Sequence, residues 1–216
     1  RGDPGRSITN NASLVVMLKE HGKNSLILGA AAFGLVFVIG IPLGVLASLR
    51  RNSWSDHSIM SFSVVGMAVP NFWLALLAVW LFASTLRILP AAGCCSPKHL
   101  ILPAIVLAVE GIALTVRMTR SAMIENQNND FVRTLRAGGL SEWRIMGKHV
   151  LRNALIPIIS LAGLRIGQIV GYALILEQIF GWPGIGQALV TAVLRRDYPV
   201  AQFFSLVLIV MVVLGN

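Results

Sequence analysis

Two charged side chains, Glu110 and Arg165, lie inside long apolar segments of this 216-residue sequence. A charge is expensive to place in hydrocarbon, so its presence in such a segment predicts a functional role, here the lining of a path for a solute. A structural ion pair or a solvated charge facing a pore explains the same two residues equally well. The candidate path residues are Pro70, Asn71, Glu110, Arg165 and Gln168.

Other arrangements that perform chemistry are missing from the sequence. All four histidines lie outside the apolar segments, so none can pair with a serine there as an intramembrane hydrolase requires. Cys94 and Cys95 are adjacent and lack the spacing of a zinc site. No Gly-x-x-x-x-Gly-Lys-Ser/Thr loop occurs, and Gly184-x-Gly186 lacks the third glycine of a dinucleotide site. The sequence therefore predicts no catalytic residue, no metal site and no cofactor bound by this chain.

The composition indicates that the chain is surrounded by lipid rather than by water. Hydrophobic residues make up 56% of the chain and charged residues 12%, about half the charged share of soluble proteins. A membrane-spanning helix needs about 20 apolar residues. Charge-poor runs of roughly this length occur at 25–49, 58–86, 100–116, 153–176 and 199–216. The sequence predicts an all-α polytopic membrane protein, with five visible transmembrane helices in a single domain.

Two further features of these runs predict how the helices are arranged. Pro70 lies inside the second run, where a proline removes a backbone hydrogen bond, so a break is expected there. Loops rich in Lys and Arg stay in the cytoplasm. The longest loop, 117–152, holds seven of them: Arg117, Arg120, Arg133, Arg136, Arg144, Lys148 and Arg152. The 117–152 loop is therefore predicted to lie inside.

Alternation along the chain then assigns the remaining loops. Residues 50–57 are placed inside, and residues 1–24, 87–99 and 177–198 outside. Because the basic residues lie in short loops between apolar segments rather than on one soluble face, membrane topology explains the formal net charge of +9 better than nucleic-acid binding does. A nucleic-acid partner, which would require a basic face on a soluble domain, is not predicted.

The 117–152 loop has a pattern of its own. We expect the third helix to continue past Arg117 until residues 126–130 weaken it, and a short helix to follow over 131–137. Gly138 and Gly139 then supply a turn, and Ser141 is a natural N-cap with Glu142 in the next first turn. The loop is therefore predicted to form a helix, a turn and a second helix.

The second helix of the loop is predicted to be amphipathic and basic. Trp143, Met146 and Val150 share one face by their spacing, and Arg144, Lys148 and Arg152 share another. Contact with anionic lipid headgroups accounts for the basic residues alone. The glycine turn and the apolar face suit a groove on a cytoplasmic partner instead.

Residues 130–142 (DFVRTLRAGGLSE) and 149–157 (HVLRNALIP) resemble the coupling loop of binding-protein-dependent ABC importer permeases, especially the dipeptide, oligopeptide and nickel subfamily. Other stretches that resemble the family appear in the same order: 2–7, 69–73, 180–186 and 196–199. The resemblance favours the first of the two permease types that such systems pair. The family's Glu-Ala-Ala signature is replaced here by Arg133-Thr134-Leu135, and Leu135 and Gly138 differ from the subfamily.

The resemblance implies a six-helix permease of the bacterial inner membrane, of which the first helix and a C-terminal tail are missing here. It implies a second permease subunit, two cytoplasmic ATPases that bind ATP and magnesium, and an extracytoplasmic solute-binding protein as partners. It also implies that peptides, nickel chelates or similar solutes are carried, and that this chain is not itself an enzyme. The residues implied to contact the ATPases are Arg133, Thr134, Leu135, Arg136, Ala137, Gly138, Gly139, Leu140, Ser141 and Glu142.

Two other classes of protein remain open at this point. A secondary transporter or a channel would work without an ATPase, and a secondary transporter typically shows repeated halves with broken helices around its ion sites. A membrane enzyme is less favoured because the histidines lie outside the apolar segments.

Overall fold

The structure, a computed structural model, describes residues 4–94 and 96–215. Gly2 and Asp3 of the N-terminal stretch, Cys95 and the final residue of the fifth apolar run lie outside the described residues. Within the described ranges every regular element is helical, and a β-bridge joins Arg6 to Ser13. The prediction of an all-α chain is confirmed for this part.

Helices occupy the described part of all five apolar runs and parts of the predicted loops between them. They are α1 (Leu14–Leu49), α2 (Trp54–Ala68), α3 (Asn71–Ala78), α4 (Pro97–Gln127), α5 (Asp130–Ala137), α6 (Glu142–Arg144), α7 (Leu151–Ile179), α8 (Ile185–Leu194) and α9 (Tyr198–Gly215). Of these, α5, α6 and α8 lie in the predicted loops. Two π-helical stretches extend them: Val79–Thr85 continues α3, and Ile145–Val150 joins α6 to α7.

The predicted break in the second apolar run is confirmed. Helix α2 ends at Ala68 and α3 begins at Asn71, with Pro70 in an extended conformation between them (φ −61°, ψ 135°). Proline has no N–H to donate to the preceding turn, which favours a break or a kink, although α1 and α7 continue through Pro42 and Pro157. The carbonyl of Pro70 accepts the N–H of Leu74 at 3.0 Å, which starts the new helix.

Fewer helices are long enough to cross a membrane by themselves than the five spans that the sequence predicts. Among the described residues, α1 and α4 are long and apolar enough to cross a membrane alone. Two interrupted pairs, Trp54–Ala68 with Asn71–Thr85 and Glu142–Ser160 with Arg165–Ile179, qualify only when each pair is taken as one span. The described apolar part of α9 is shorter than this length. The fifth span therefore stays a prediction.

The chain forms two compact units. The first comprises Arg1–Phe33, Val69–Ala108 and Leu164–Asn216, and the second Gly34–Ala68 and Val109–Gly163. A core of the first unit joins the start of α1 to α8 and α9, through Leu14, Ile185, Ala188, Ala192, Val200 and Phe204. A core of the second unit joins the end of α4 to the segments that follow it.

Close packing of α1 against α4 holds the second unit together. A Cβ atom added at Gly44 would lie 2.5 Å from the Cβ of Thr119 and 2.8 Å from the carbonyl oxygen of Val116. A Cβ atom at Gly40 would lie 2.8 Å from the Cβ of Thr115. Small residues allow helices to approach closely in membranes, where packing rather than water drives association.

The substitution Gly44→Ala should therefore destabilise the protein although alanine is the better helix former. Overpacking of a core costs about 1–3 kcal/mol, which corresponds to a melting temperature lower by roughly 2–12 °C for a chain of this size. Thermal loss of the monodisperse gel-filtration peak in detergent measures the effect. Gly34→Ala is the matched control in the same helix, because nothing lies within 4 Å of a Cβ atom there. Equal melting temperatures for the two variants would contradict the close contact.

Candidate functional site

The short helix α5 begins and ends as its sequence requires. Asn129 precedes it in an extended conformation (φ −72°, ψ 151°), Asp130 lies in its first turn and Arg136 in its last. These charges complement the helix dipole, which is positive at the N-terminus and negative at the C-terminus. The predicted helix over 131–137 is confirmed, beginning one residue earlier.

A tight turn follows α5 and reverses the chain. Gly139 has φ +78°, a left-handed conformation that glycine adopts without a steric penalty. Its N–H donates to the carbonyl of Arg136 at 3.0 Å, and the N–H of Leu140 donates to the carbonyl of Leu135 at 3.2 Å. These two bonds define a Schellman motif, which satisfies the last carbonyls of the helix. Gly138, at φ −76°, needs no special conformation.

The Schellman motif also explains Leu135. In a Schellman motif, the residues at the positions of Leu135 and Leu140 typically make an apolar contact with each other. Both side chains pack against a buried cluster formed by Ala122, Met123, Val132, Ile145, Met146, Val150 and Ala154. Leu135, which departs from the subfamily sequence, therefore anchors the turn to the end of α4.

The second helix of the loop differs from the prediction in one respect. Met146 and Val150 are buried as expected, but Trp143 is 81% exposed and does not share their face. Residues Ile145–Val150 are π-helical, and a π-helix has a wider turn than the α-helix on which the predicted spacing rests. The apolar face is instead formed by Ile145, Met146 and Val150.

The exposed side of the loop carries most of the implied contact residues. Arg133, Thr134, Arg136, Ala137, Gly138, Gly139, Ser141 and Glu142 are exposed, as are Trp143 and the basic residues Arg144, Lys148 and Arg152. We call residues 130–152 the basic hairpin. Its apolar side is buried within its own unit, so the partner groove anticipated from the sequence would receive the exposed side.

An ion pair spans the turn of the basic hairpin. Arg136 donates to both carboxylate oxygens of Glu142, at 2.5 and 3.2 Å. These hydrogen bonds lower the pKa of the Glu142 carboxyl and raise that of Arg136. Ser141 has the extended backbone of an N-cap, but its side chain makes no capping hydrogen bond. The predicted cap is therefore confirmed in backbone position only.

A second ion pair joins the two loops that are predicted to lie inside. Arg120 donates to the two carboxylate oxygens of Asp56 at 2.6 and 2.7 Å, and Asp56 is 3% exposed. The bidentate geometry is the strongest form of such a pair. The contact agrees with the predicted grouping of 50–57 with 117–152. Sequence analysis missed it, although Asp56 is the one carboxylate of its segment.

The candidate path residues are distributed over both units. Glu110 is half-buried in the second unit. Arg165 is 8% exposed in the first unit, where Gln168 and Pro70 are exposed and Asn71 is half-buried. A pairing of Glu110 with Arg165 stays a prediction, as does their role in a path.

A buried carboxylate organises the start of α8 in the first unit. Glu177 is 1% exposed. It accepts the hydroxyl of Ser25 at 2.5 Å and the N–H groups of Gly186 and Gln187 at 2.7 and 3.3 Å. A carboxylate at this position satisfies helix N–H groups and complements the dipole. Sequence analysis missed Glu177, which lies nine residues before the helix turn that it caps.

The glycines after Trp182 make room for this carboxylate. A Cβ atom at Gly184 would lie 2.2 Å from the carboxyl carbon of Glu177, and one at Gly186 would lie 2.5 Å from the Cα of Leu174. The Gly184-x-Gly186 pattern therefore serves close packing around a carboxylate of the protein itself. The indole N–H of Trp182 donates to the carbonyl of Asn24 at 2.9 Å, which ties the same turn to α1.

A second carboxylate joins two of the stretches that carry the family resemblance. Asp197, 2% exposed, accepts the hydroxyl of Ser7, the hydroxyl of Thr9 at 2.8 Å and the N–H groups of Ile8 and Thr9 at 3.2 and 3.3 Å. Burial alone would raise the pKa of Asp197, but these hydrogen bonds outweigh burial and lower the pKa from 3.8 to about 2.

Contacts on this side of the molecule agree with the predicted grouping of the outside segments. Asp197 links residues 4–24 to 177–198, and the N–H of Gly93 donates to the carbonyl of Phe180 at 3.0 Å, which adds 87–99 to the group. The absolute orientation stays a prediction from the basic residues.

The low pKa of Asp197 predicts a defined loss of stability in acid. The folded state favours the ionised carboxylate, so its contribution is complete above the ordinary value of 3.8 and is lost as the pH falls towards about 2. Asp197→Asn should lower the melting temperature at neutral pH and remove part of the decline between about pH 4 and about pH 2. Glu20→Gln, which alters an exposed carboxylate of α1, is the control. A pH profile of Asp197→Asn identical to that of the parent protein would refute this assignment.

Comparisons with known proteins place these features in context. Residues 40–216 match the family described as "Binding-protein-dependent transport system inner membrane component". The chain is 41% identical over 217 residues to the dipeptide transport system permease protein DppB of Bacillus subtilis (strain 168), covering 98% of this chain and 70% of the relative. It is 38% identical over 227 residues to the oligopeptide transport system permease protein AppB of the same organism, covering 100% and 72%.

A solved structure shares the fold. An inward-facing conformation of the MetNI methionine ABC transporter matches with a TM-score of 0.78 and 20% identity, covering 93% of this chain and 92% of that one. At this identity the likeness concerns the fold alone.

Proposed function

Because the chain belongs to the family of inner membrane components of binding-protein-dependent transport systems, we propose that it carries peptides and is driven through its basic hairpin. It is a multi-pass permease component of an ABC importer, a class in which ATP hydrolysis belongs to separate subunits. The names of the relatives described above support peptides and give no support to nickel chelates. The family match favours an ATP-driven importer over a channel or a secondary transporter.

The basic hairpin carries the proposal for ATPase docking. One side of it is buried against the end of α4, and the other presents Gly139, Arg136 and Trp143 to solvent. A turn packed firmly on a transmembrane helix moves together with that helix when a partner displaces it, because close-packed interiors resist compression. An exposed tryptophan among arginines is typical of residues that dominate binding energy at protein interfaces. The hairpin is thus built to receive a cytoplasmic partner and to move α4 with it.

Lipid headgroups are the competing contact for the basic residues. They would attract Arg144, Lys148 and Arg152 without any demand on the turn. The Schellman hydrogen bonds and the packing of Leu135 against the buried cluster give the turn a fixed shape, which contact with lipid would not require. We therefore assign the exposed face of the hairpin to one ATPase subunit, and the counterpart loop of the permease partner to a second.

The turn residue Gly139 gives the sharpest test of this proposal. Gly139→Val forces a β-branched residue into a left-handed conformation, which costs about 1–2 kcal/mol or more. We expect the turn to open and ATP-dependent peptide uptake by the complete importer in proteoliposomes to fall at least about tenfold, while the permease stays in the membrane. Gly138→Ala is the matched control, because its Cβ would meet neighbours only at ordinary contact distances of 3.5 Å or more.

Two further measurements make the result specific. Asparagine tolerates the left-handed conformation, so Gly139→Asn should restore uptake in part. Copurification with the ATPase subunits should fall with Gly139→Val and remain with Gly138→Ala. Full uptake by Gly139→Val, or a stable functional importer that contains no ATPase, would refute the proposal.

Glu110 and Arg165 are proposed to contribute to the path for the substrate. Each is a charge within an apolar helix, and such charges face a protein interior or water rather than lipid. Glu110→Gln and Arg165→Met remove the charges at similar side-chain size, and peptide uptake should fall in at least one of the two variants. Unchanged uptake by both variants, with normal assembly, would leave a structural role as the explanation.

A further inference from the structure

The outside segments of the first unit carry an excess of exposed positive charge. Within the described parts of 4–24, 87–99 and 177–198, every Lys and Arg is exposed: Arg6, Lys19, Lys23, Arg87, Lys98, Arg195 and Arg196. Of the described carboxylates there, Glu20 is exposed, whereas Glu177 and Asp197 are buried and accept hydrogen bonds from the protein. The preference of Lys and Arg for cytoplasmic loops accounts for the basic residues of 50–57 and 117–152 and gives no reason for these seven.

The backbone of Arg196 is a second and independent observation. Helix α8 ends in a Schellman motif, in which the N–H of Asp197 donates to the carbonyl of Ala192 at 2.9 Å and the N–H of Arg196 to that of Val193 at 3.1 Å. Arg196 occupies the left-handed position of this motif, with φ +56°. Glycine fills that position in most proteins and in the basic hairpin of this one. An arginine that keeps an unfavourable conformation points to a use for its side chain.

Asp197 joins Arg196 to the N-terminal turn. The carboxylate of Asp197 accepts the N–H groups of Ile8 and Thr9, so this turn lies directly against the end of α8. Ile8 is 71% exposed and Leu194 is 76% exposed. We call the exposed residues around Asp197 the Arg196 surface: Ile8, Thr9, Asn10, Leu194, Arg195 and Arg196. It combines two apolar side chains with two positive charges, on a turn that Asp197 joins to the end of α8.

The chemistry of this surface fits a soluble protein better than lipid tails. The turn at Thr9 and Asn10 exposes polar side chains and backbone that could not be satisfied in hydrocarbon. The family is binding-protein-dependent, and the solute-binding protein implied by the resemblance is extracytoplasmic, on the side predicted for these segments. We propose that the Arg196 surface binds an acidic face of the extracytoplasmic solute-binding protein, with Arg195 and Arg196 as its charged contacts. This inference rests on the proposed importer function.

The test measures the affinity of the importer for its own solute-binding protein. The complete importer is placed in nanodiscs of phosphatidylcholine alone, and the fluorescently labelled binding protein of the same system is titrated onto it. Arg196→Gly should leave the melting temperature unchanged or raise it, because glycine suits the left-handed position, yet weaken binding about tenfold. Arg195→Gln, a second variant away from the strained residue, should weaken binding in the same direction.

The control removes the same charge elsewhere on the same side. Lys98→Gln, in the first turn of α4, should change the affinity by less than about twofold. Added salt should weaken binding to the parent importer more than binding to the Arg195→Gln, Arg196→Gly double variant, since screening acts on charges that are still present.

Three results would overturn the inference. Unchanged affinity in both arginine variants would exclude the surface, and an equal loss in Lys98→Gln would assign the effect to net charge. An effect that appears only in nanodiscs containing anionic phosphatidylglycerol would assign the arginines to lipid headgroups. Copurification of the ATPase subunits and basal ATP hydrolysis test the proposed function separately. Both should be unchanged in the arginine variants even if the inference fails, because the Arg196 surface and the basic hairpin belong to different units.

Discussion

The backbone groups at the ends of helices set the main constraint on this protein. Each helix leaves four N–H groups at its start and four carbonyls at its end without partners inside the helix, and hydrocarbon offers none. The first unit meets this need at α8 with the buried carboxylate of Glu177. The glycines at 184 and 186 are required because that carboxylate occupies the space of their side chains. The resemblance of 180–186 to the family thus has a physical explanation in the start of one helix.

The same constraint at helix ends produces two turns of equal geometry and different residues. Gly139 and Arg196 both occupy the left-handed position of a Schellman motif, after α5 and α8 respectively. Glycine adopts this conformation freely, whereas another residue gives up about 1–2 kcal/mol. Asn11 and Asn52 share the left-handed region, and asparagine tolerates it. The other described non-glycine residues with positive φ are Arg87 and Arg196, both in segments predicted to lie outside. At these two positions the backbone conformation disfavours arginine.

Sequence reasoning succeeded where the structure is determined locally. The break at Pro70, the end of α4 near residue 127 and the short helix α5 each follow from residue types within a few positions. It failed at Trp143, because the predicted face assumed an α-helical period and the chain is π-helical from Ile145. Hydrophobic spacing alone does not distinguish the two periods, since Met146 and Val150 are buried in either.

The roles of Asp56, Glu177 and Asp197 were missed for a different reason. Their partners lie far away in the chain: Glu177 binds Ser25, Asp56 binds Arg120 and Asp197 binds Ser7. Spacing along one helix carries no information about such contacts. The pairs of Asp56 and Asp197 were nevertheless constrained, because each joins two segments that alternation of the spans had already assigned to one side of the membrane. Ser25, the partner of Glu177, is the first residue of the first apolar run. The contacts of Asp56 and Asp197 and the topology inferred from basic residues are independent observations. Their agreement supports the grouping of loops more strongly than the basic residues do alone.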